Sequence, residues 1–337
     1  MLLVVNAGSS SVKVSLFDGD IERRRGLASE IGAQGHEAAL AGFLADGFGA
    51  GLKAAAHRVV HGGAELTAPC RLTAATIAAI EACVPLAPLH NPANLVGIRA
   101  MAKLLPDLAQ YASFDTGFHA SNPEVALAYA LPAAERARGI RRYGFHGISY
   151  AGLVRHLRAT VPEGLPKRLL GLHLGNGASL CAMVDGVSVA TTMGYSPLDG
   201  LTMGTRSGSI DGNAVLRLAE LHGIDGASRI LNRESGLLGL GGSSDMRALQ
   251  TAGTPEARFA RAHFAYWVQR HAGSMMAAMG GLDAIAFTGG IGENDAEMRA
   301  QILQGLAWAG QVPTYVVAAE EERSIAIEAQ ALMARGL

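Results

Sequence analysis

The sequence predicts an α/β protein built from two related halves. A strand–turn–strand pattern at the N-terminus returns near mid-chain, and strand-like and helix-like segments alternate after each copy. A third observation is a set of glycine-rich turns that each follow an apolar strand, a place where backbone N–H groups are free to meet a ligand.

The first pattern is Leu2-Leu3-Val4-Val5, ended by Asn6-Ala7-Gly8 and three serines. Val12, Val14 and Leu16 then alternate with Lys13, Ser15 and Phe17, and Asp18-Gly19 makes a hairpin turn. The second is Leu170 to Leu174, then Gly175-Asn176-Gly177-Ala178-Ser179, then Leu180 to Val184, then Asp185-Gly186. Gly8 matches Gly175, Asp18 matches Asp185 and Gly19 matches Gly186 without a gap. Two hairpins opening two halves predict a duplicated architecture with a cleft between the halves.

The segments between follow in order. Thr73 to Cys83 and Asn94 to Leu105 have helical spacing, with Asn94 as the cap of the second and Pro106 just past its end. Ala112 to Asp115 reads as a short strand ending on an acid. Ser149 to Ala159 and Ala214 to His222 read as helices. Thr254 to Met279 is one long helix, with Thr254 as its cap and Pro255 at its first position. Leu282 to Thr288 is a strand running into Gly289-Gly290-Ile291-Gly292.

Composition excludes several classes. The 337 residues are 49% hydrophobic and 17% charged, with a formal net charge of -1. A nucleic-acid binder would carry a basic face, and a disordered chain would be less apolar and more charged. Cys70, Cys83 and Cys181 are odd in number and widely spaced, which argues against a metal site or a disulfide framework. The chain opens directly into a strand pattern without a leader-like segment, and no apolar run approaches the roughly 20 residues that span a bilayer. The expected location is cytoplasmic, with no membrane or nucleic-acid partner.

Two groups of segments carry chemistry. The turn Asn6 to Ser11, with Lys13 beside it, offers backbone N–H groups, hydroxyls and a mobile cation to phosphate oxygens. The side-chain oxygen of Asn6 suits Mg²⁺. The Walker pattern GxxxxGK[ST] is absent. Segments His173 to Gly177 and Gly289 to Asn294 are similar strand-to-turn loops, and Ser235 to Gly239 followed by Ser243 to Arg247 adds a fourth. Together they predict a bound nucleotide. The second group is rich in Arg and His: residues 56–63, 89–92, 114–119, 143–147 and 203–208. A site that joins two anions must neutralise both, and arginine is suited to that bidentate work.

These motifs taken together resemble the acetate kinases, of the acetate/propionate/butyrate kinase family within the sugar kinase–actin–heat-shock ATPase superfamily. The segments are NAGSSSVK (6–13), HRVVHGG (57–63), APLHNPAN (87–94), FDTGFH (114–119), YGFHG (143–147), HLGNGASL (173–180), MGTRSG (203–208), SGLLG (235–239) and FTGGIGEN (287–294). They cover almost the whole chain in family order.

The resemblance implies duplicated ribonuclease-H-like (actin-like ATPase) domains with a nucleotide cleft between them. The N-terminal domain is 1–119 plus 324–337 and the C-terminal domain 120–323. It implies reversible transfer of the ATP γ-phosphoryl group to acetate, giving acetyl phosphate and ADP. Propionate or butyrate kinase activity, or an inactive nucleotide-binding paralogue, stands as the alternative. The expected catalytic residues are Asp115, His146, Arg206 and Arg58. Arg58, Val60, Leu89, Phe145 and Pro197 are expected to bind the carboxylate and its methyl group. Lys13, His173, Leu174, Gly175, Asn176, Gly177, Asp245, Met246, Arg247, Gly290, Ile291, Gly292, Glu293 and Asn294 are expected at the nucleotide. Asn6 and Glu321 are expected at Mg²⁺, for which Mn²⁺ is a substitute, and a homodimer is implied. A carboxylate acceptor is already ionised at pH 7 and needs no base. Asp115 therefore makes best sense holding an arginine, a Mg²⁺-bound water or an acid proton. The chain departs from the family in being short, between Gly19 and His57 and between Trp308 and Val316. It also carries Gly208-Ser209-Ile210-Asp211-Gly212 where the family has Gly-Asp-Ile-Asp-Pro.

Overall fold

Apolar runs that are buried on both faces need cover on both faces. The computed structural model describes residues 1–32 and 35–336, and it meets that need with two sheets, each in its own compact unit. Unit 1 comprises Met1–Ala120, Gly147–Gly152 and the segment from Glu320 onward; unit 2 comprises Ser121–His146 and Leu153–Ala319.

Unit 1 contains strands β1 (Leu2–Ala7), β2 (Ser11–Asp18), β3 (Ile21–Ser29), β4 (Ala54–Val59), β5 (Cys70–Arg71) and β6 (Ala109–Phe114), in the order β3-β2-β1-β4-β6-β5. β1 to β3 are antiparallel, and β4 and β6 run parallel to β1. Side chains alternate along β1. Leu3, Val5 and Ala7 pack in one core with Leu40 and Met101, from helices Gly35–Phe43 and Asn91–Leu104. Leu2 and Val4 pack in the other with Ile325, Ala326 and Ala329 of helix Glu321–Ala334.

Unit 2 repeats the plan. Its strands are β7 (Arg168–Leu174), β8 (Ala178–Val184), β9 (Val187–Thr191), β10 (Ala284–Thr288) and β11 (Thr314–Val316), in the order β11-β10-β7-β8-β9. Again three consecutive antiparallel strands are followed by parallel ones. Helix Pro255–Met279 starts as expected, with the Thr254 hydroxyl accepting from the Ala257 N–H and Pro255 in its first turn. It buries Phe264, Val268, Ala272 and Met276. Cys83 and Cys181 are buried free thiols and Cys70 is half-buried.

Three local expectations change. The helix read as Asn94 to Leu105 begins at Asn91, with Pro92 in its first turn, so Asn94 lies inside it. The glycine run after β10 is a short helix, Gly289–Asn294, with Thr288 before it. Helix Gly212–Arg229 extends past His222, through a break at Gly223. Among the described residues no helix is long and apolar enough to cross a membrane.

Candidate active site

In unit 1 Arg58 and Asp115, expected from the sequence to be functional, sit at the C-terminal ends of the parallel strands β4 and β6, where ligands bind in open α/β sheets. Arg58 is the penultimate residue of β4 and Asp115 follows β6. The guanidinium grips the carboxylate twice: Nη2 donates to Oδ2 at 2.8 Å and Nε to Oδ1 at 3.2 Å. Glu321, in the first turn of the last helix, brings Oε2 to 3.4 Å from Arg58 Nη1. The Asp115 side chain is 3% exposed. Burial pushes its carboxyl up, Arg58 pulls it down, and the Glu321 charge adds to the rise, leaving it at about 6. Burial opposes the charge of Arg58, yet the Asp115 and Glu321 carboxylates outweigh it and raise its pKa.

Polar residues of the motifs hold the backbone around this pair. Asn94 donates to the Ala7 carbonyl at 2.8 Å and accepts from the Val60 N–H at 3.0 Å. Asn91 does the same for both backbone groups of His61. Thr116 Oγ1 accepts from the Gly62 N–H. The loop after β4, which carries Val60, is thus bolted to the neighbouring helix and to the end of β6. On the strands next to β4, Asn6 and Lys13 face each other across the β1–β2 ladder. His36 Nε2 is 2.7 Å from the Gly8 carbonyl of that turn.

In unit 2 the same end of the sheet holds His173, the penultimate residue of β7. The His146 ring stacks on it, with centroids 4.1 Å apart and planes 22° apart. His146 precedes helix Gly147–Thr160 with φ 60°, a left-handed conformation. Non-glycine residues held there are strained, and such strain concentrates at functional sites. Arg206 Nη1 donates to the Pro197 carbonyl at 2.8 Å. A Cβ added at Gly177 would meet His146 Nε2 at 3.2 Å and Arg206 Nη2 at 3.7 Å, so both groups converge on the space beside that glycine. Phe145 is buried and Pro197 half-buried in this unit, while Val60 and the exposed Leu89 belong to unit 1.

Next to this cluster lies a cavity of about 400 Å³, the size range of small-molecule sites. Gly175, Asn176, Ser244, Asp245, Met246, Arg247, Gly290, Ile291, Asn294 and Asp295 line it. Three segments singled out separately in the sequence therefore share one wall. Asp245 caps helix Met246–Ala252 by accepting from the Arg247 N–H at 2.9 Å, which lowers its pKa. Leu174, Gly292 and Glu293 do not line the cavity; Glu293 Oε1 instead accepts from the Ala319 N–H at 2.9 Å.

The model of the acetokinase family matches residues 45–328. The chain belongs to the acetokinase family. It is 46% identical to the acetate kinase of Methylocella silvestris over 76% of this chain and 64% of that protein. It is 42% identical to that of Rhodopseudomonas palustris strain TIE-1 over 92% of this chain and 87% of the relative. The propionate kinase structure from Francisella tularensis superposes with a TM-score of 0.90 at 34% identity, covering 97% of this chain and 98% of that one.

Within this acetokinase chain, the sequence motifs carry the side chains described above but not the residues that support them. Arg261 Nη1 pairs with Asp295 of the cavity wall at 3.0 Å, and Arg299 Nη1 donates to the Gly292 and Glu293 carbonyls of the short helix that carries Gly290 and Ile291 of that wall. Gly204 is packed so closely that an added Cβ would lie 1.7 Å from Asn176 Oδ1. The short spacing of Met203-Gly204-Thr205-Arg206 was a signal for the arginine; nothing in it signalled the asparagine packed on the glycine.

Proposed function

We propose that the chain catalyses in-line transfer of the ATP γ-phosphoryl group to a short-chain carboxylate, acetate first, giving an acyl phosphate and ADP. The observation that carries this reading is the shared loop Gly175–Gly177. One side of it lines the 400 Å³ cavity, and the other side meets His146 and Arg206. A nucleotide in that cavity would present its phosphates to a guanidinium and an imidazole.

Little covalent work falls to the protein in phosphoryl transfer; positioning and charge neutralisation dominate. Arg58 holds the acceptor carboxylate, Arg206 the equatorial oxygens, and His146 donates a hydrogen bond to the transferring group. Asp115 acts as the fixed partner of Arg58, the role its double hydrogen bond supports. Val60, Leu89, Phe145 and Pro197 limit the acyl chain.

The carboxylates of Asp115 and Glu321 and the amide oxygen of Asn6 are hard oxygen donors, which suit Mg²⁺, with Mn²⁺ as a substitute. Among the described residues no cluster of three or more His, Cys, Asp or Glu forms a complete metal cage. Phosphate oxygens and water would complete the shell, as is usual for nucleotide-bound Mg²⁺. Such an ion, when bound, would supply charge neutralisation at the phosphates. The reading carries with it a cytoplasmic location and a homodimer, the latter checked by light scattering of the purified protein.

Hydroxamate trapping of acyl phosphate from ATP and acetate tests the proposal. Formation is expected in the wild type and a loss on the order of 10³-fold in kcat in Arg206→Ala; near-normal product from that variant sinks the assignment. One methylene changes discrimination by only ~1–3 kcal/mol. A kcat/KM series from formate to butyrate therefore decides between acetate, propionate and butyrate.

A further inference from the structure

Ser179 lies directly opposite His173 in the β7–β8 ladder and is fully buried. Directly opposed residues project to the same face of a sheet. The spot they flank is occupied by the His146 ring, whose face lies on His173 and whose Nδ1 is 2.9 Å from Ser179 Oγ. Nε2 of the ring is the nitrogen that converges with Arg206 Nη2 beside Gly177.

We propose that Ser179 is a positioning residue for the transfer reaction: its hydroxyl donates to His146 Nδ1 and keeps the ring proton on Nε2, beside Arg206. This rests on the functional reading above. A phosphoryl group presents only acceptor oxygens, so a ring that serves it must offer N–H from Nε2. A neutral imidazole has one N–H, so Nδ1 must then accept. The serine hydroxyl is placed to supply that proton, while the His173 ring fixes the plane. Rotation and tautomer are set together by one buried side chain outside the set of reacting groups.

The test pairs spectroscopy with kinetics. Long-range ¹H–¹⁵N spectra of ¹⁵N-histidine-labelled protein, with His146 assigned by its loss in His146→Gln, read the tautomer directly. The wild type is expected to show the proton on Nε2, and Ser179→Ala a mixture of the two tautomers. In Ser179→Ala, kcat for acyl phosphate formation should fall about 10- to 100-fold with the KM for ATP within about twofold. Ser179→Cys keeps the volume with a weaker donor and should fall between. A wild-type proton on Nδ1, an unchanged tautomer in Ser179→Ala, or a loss that appears in KM alone overturns the proposal. If the tautomer is as expected but the wild type makes no acyl phosphate, the functional reading fails and the positioning stands.

Discussion

The two opening hairpins align without a gap in sequence, yet they pair differently. In unit 1 Ala7 faces Val12, and the turn closes with the Gly8 N–H donating to the Ser11 carbonyl. In unit 2 Leu174 faces Ala178, and the Gly175 N–H donates to the Gly177 carbonyl. The second turn is one residue tighter. Because strands alternate with a period of two, a one-residue slip changes which side chains face each other. Asn6 therefore opposes Lys13, whereas its counterpart His173 opposes Ser179. One hairpin presents an amide and a cation; the other presents a ring and a hydroxyl. Duplication supplied the scaffold, and turn length allotted the chemistry.

The sharpest way to break this comparison is to remove one arginine from each unit. Arg58→Ala leaves Asp115 and Glu321 without their cation. It should lose activity on the order of 10³-fold and cost about 3–5 kcal/mol of stability, as when a buried pair is broken. Arg206→Ala should lose comparable activity but only about 1 kcal/mol, since Arg206 Nη1 donates to the neutral Pro197 carbonyl and Met203 thioether. Urea unfolding beside the hydroxamate assay separates the two; equal stability losses would erase the distinction.

A second contrast concerns pH. Burial pushes His57 of β4 down to about 4. Gln110 satisfies its neighbours when its amide nitrogen donates to His57 Nε2, which requires the ring to be neutral there. The unfolded chain takes up the proton below pH 6.5 and the folded chain does not. The contribution is complete above pH 6.5 and is lost as pH falls to about 4, roughly 3 kcal/mol in all. Urea midpoints at pH 7.5 and pH 5 should diverge in the wild type and draw together in His57→Asn.

Smaller effects follow from the supports. Asn94→Ala strands the Val60 N–H and the Ala7 carbonyl, and should cost about 2 kcal/mol in unfolding free energy. Gly204→Ala drives a methyl group into Asn176. It should raise the KM for ATP roughly tenfold, the equivalent of ~1.4 kcal/mol, with the melting temperature little changed.

The strands and the candidate site segments were legible because they announce themselves locally. Alternation marks β2, Thr254-Pro255 marks a helix start, and glycine after an apolar run marks a ligand loop. What stayed hidden depends on direction rather than composition. Asn94 reads as a cap because asparagine favours caps. Its amide instead turns toward the sheet and serves two backbone groups 34 and 87 residues away. His36 and Arg261 act on segments distant in sequence, and no local pattern encodes that. The one-residue difference in turn length was equally invisible, since the aligned residues are continuous in both hairpins.

Unit 1 closes with the helix that carries Glu321, and that has a consequence for synthesis. On the ribosome β1, β2, β4 and β6 emerge early, but Ile325, Ala326 and Ala329, which cover Leu2 and Val4, emerge after nearly everything else. Unit 2 can complete its own core while one face of the first sheet still waits for part of its cover. The same late helix brings the carboxylate that stands beside Arg58. Closure of that core and arrival of the Glu321 carboxylate beside Arg58 thus come in one event, so an interrupted chain would have neither.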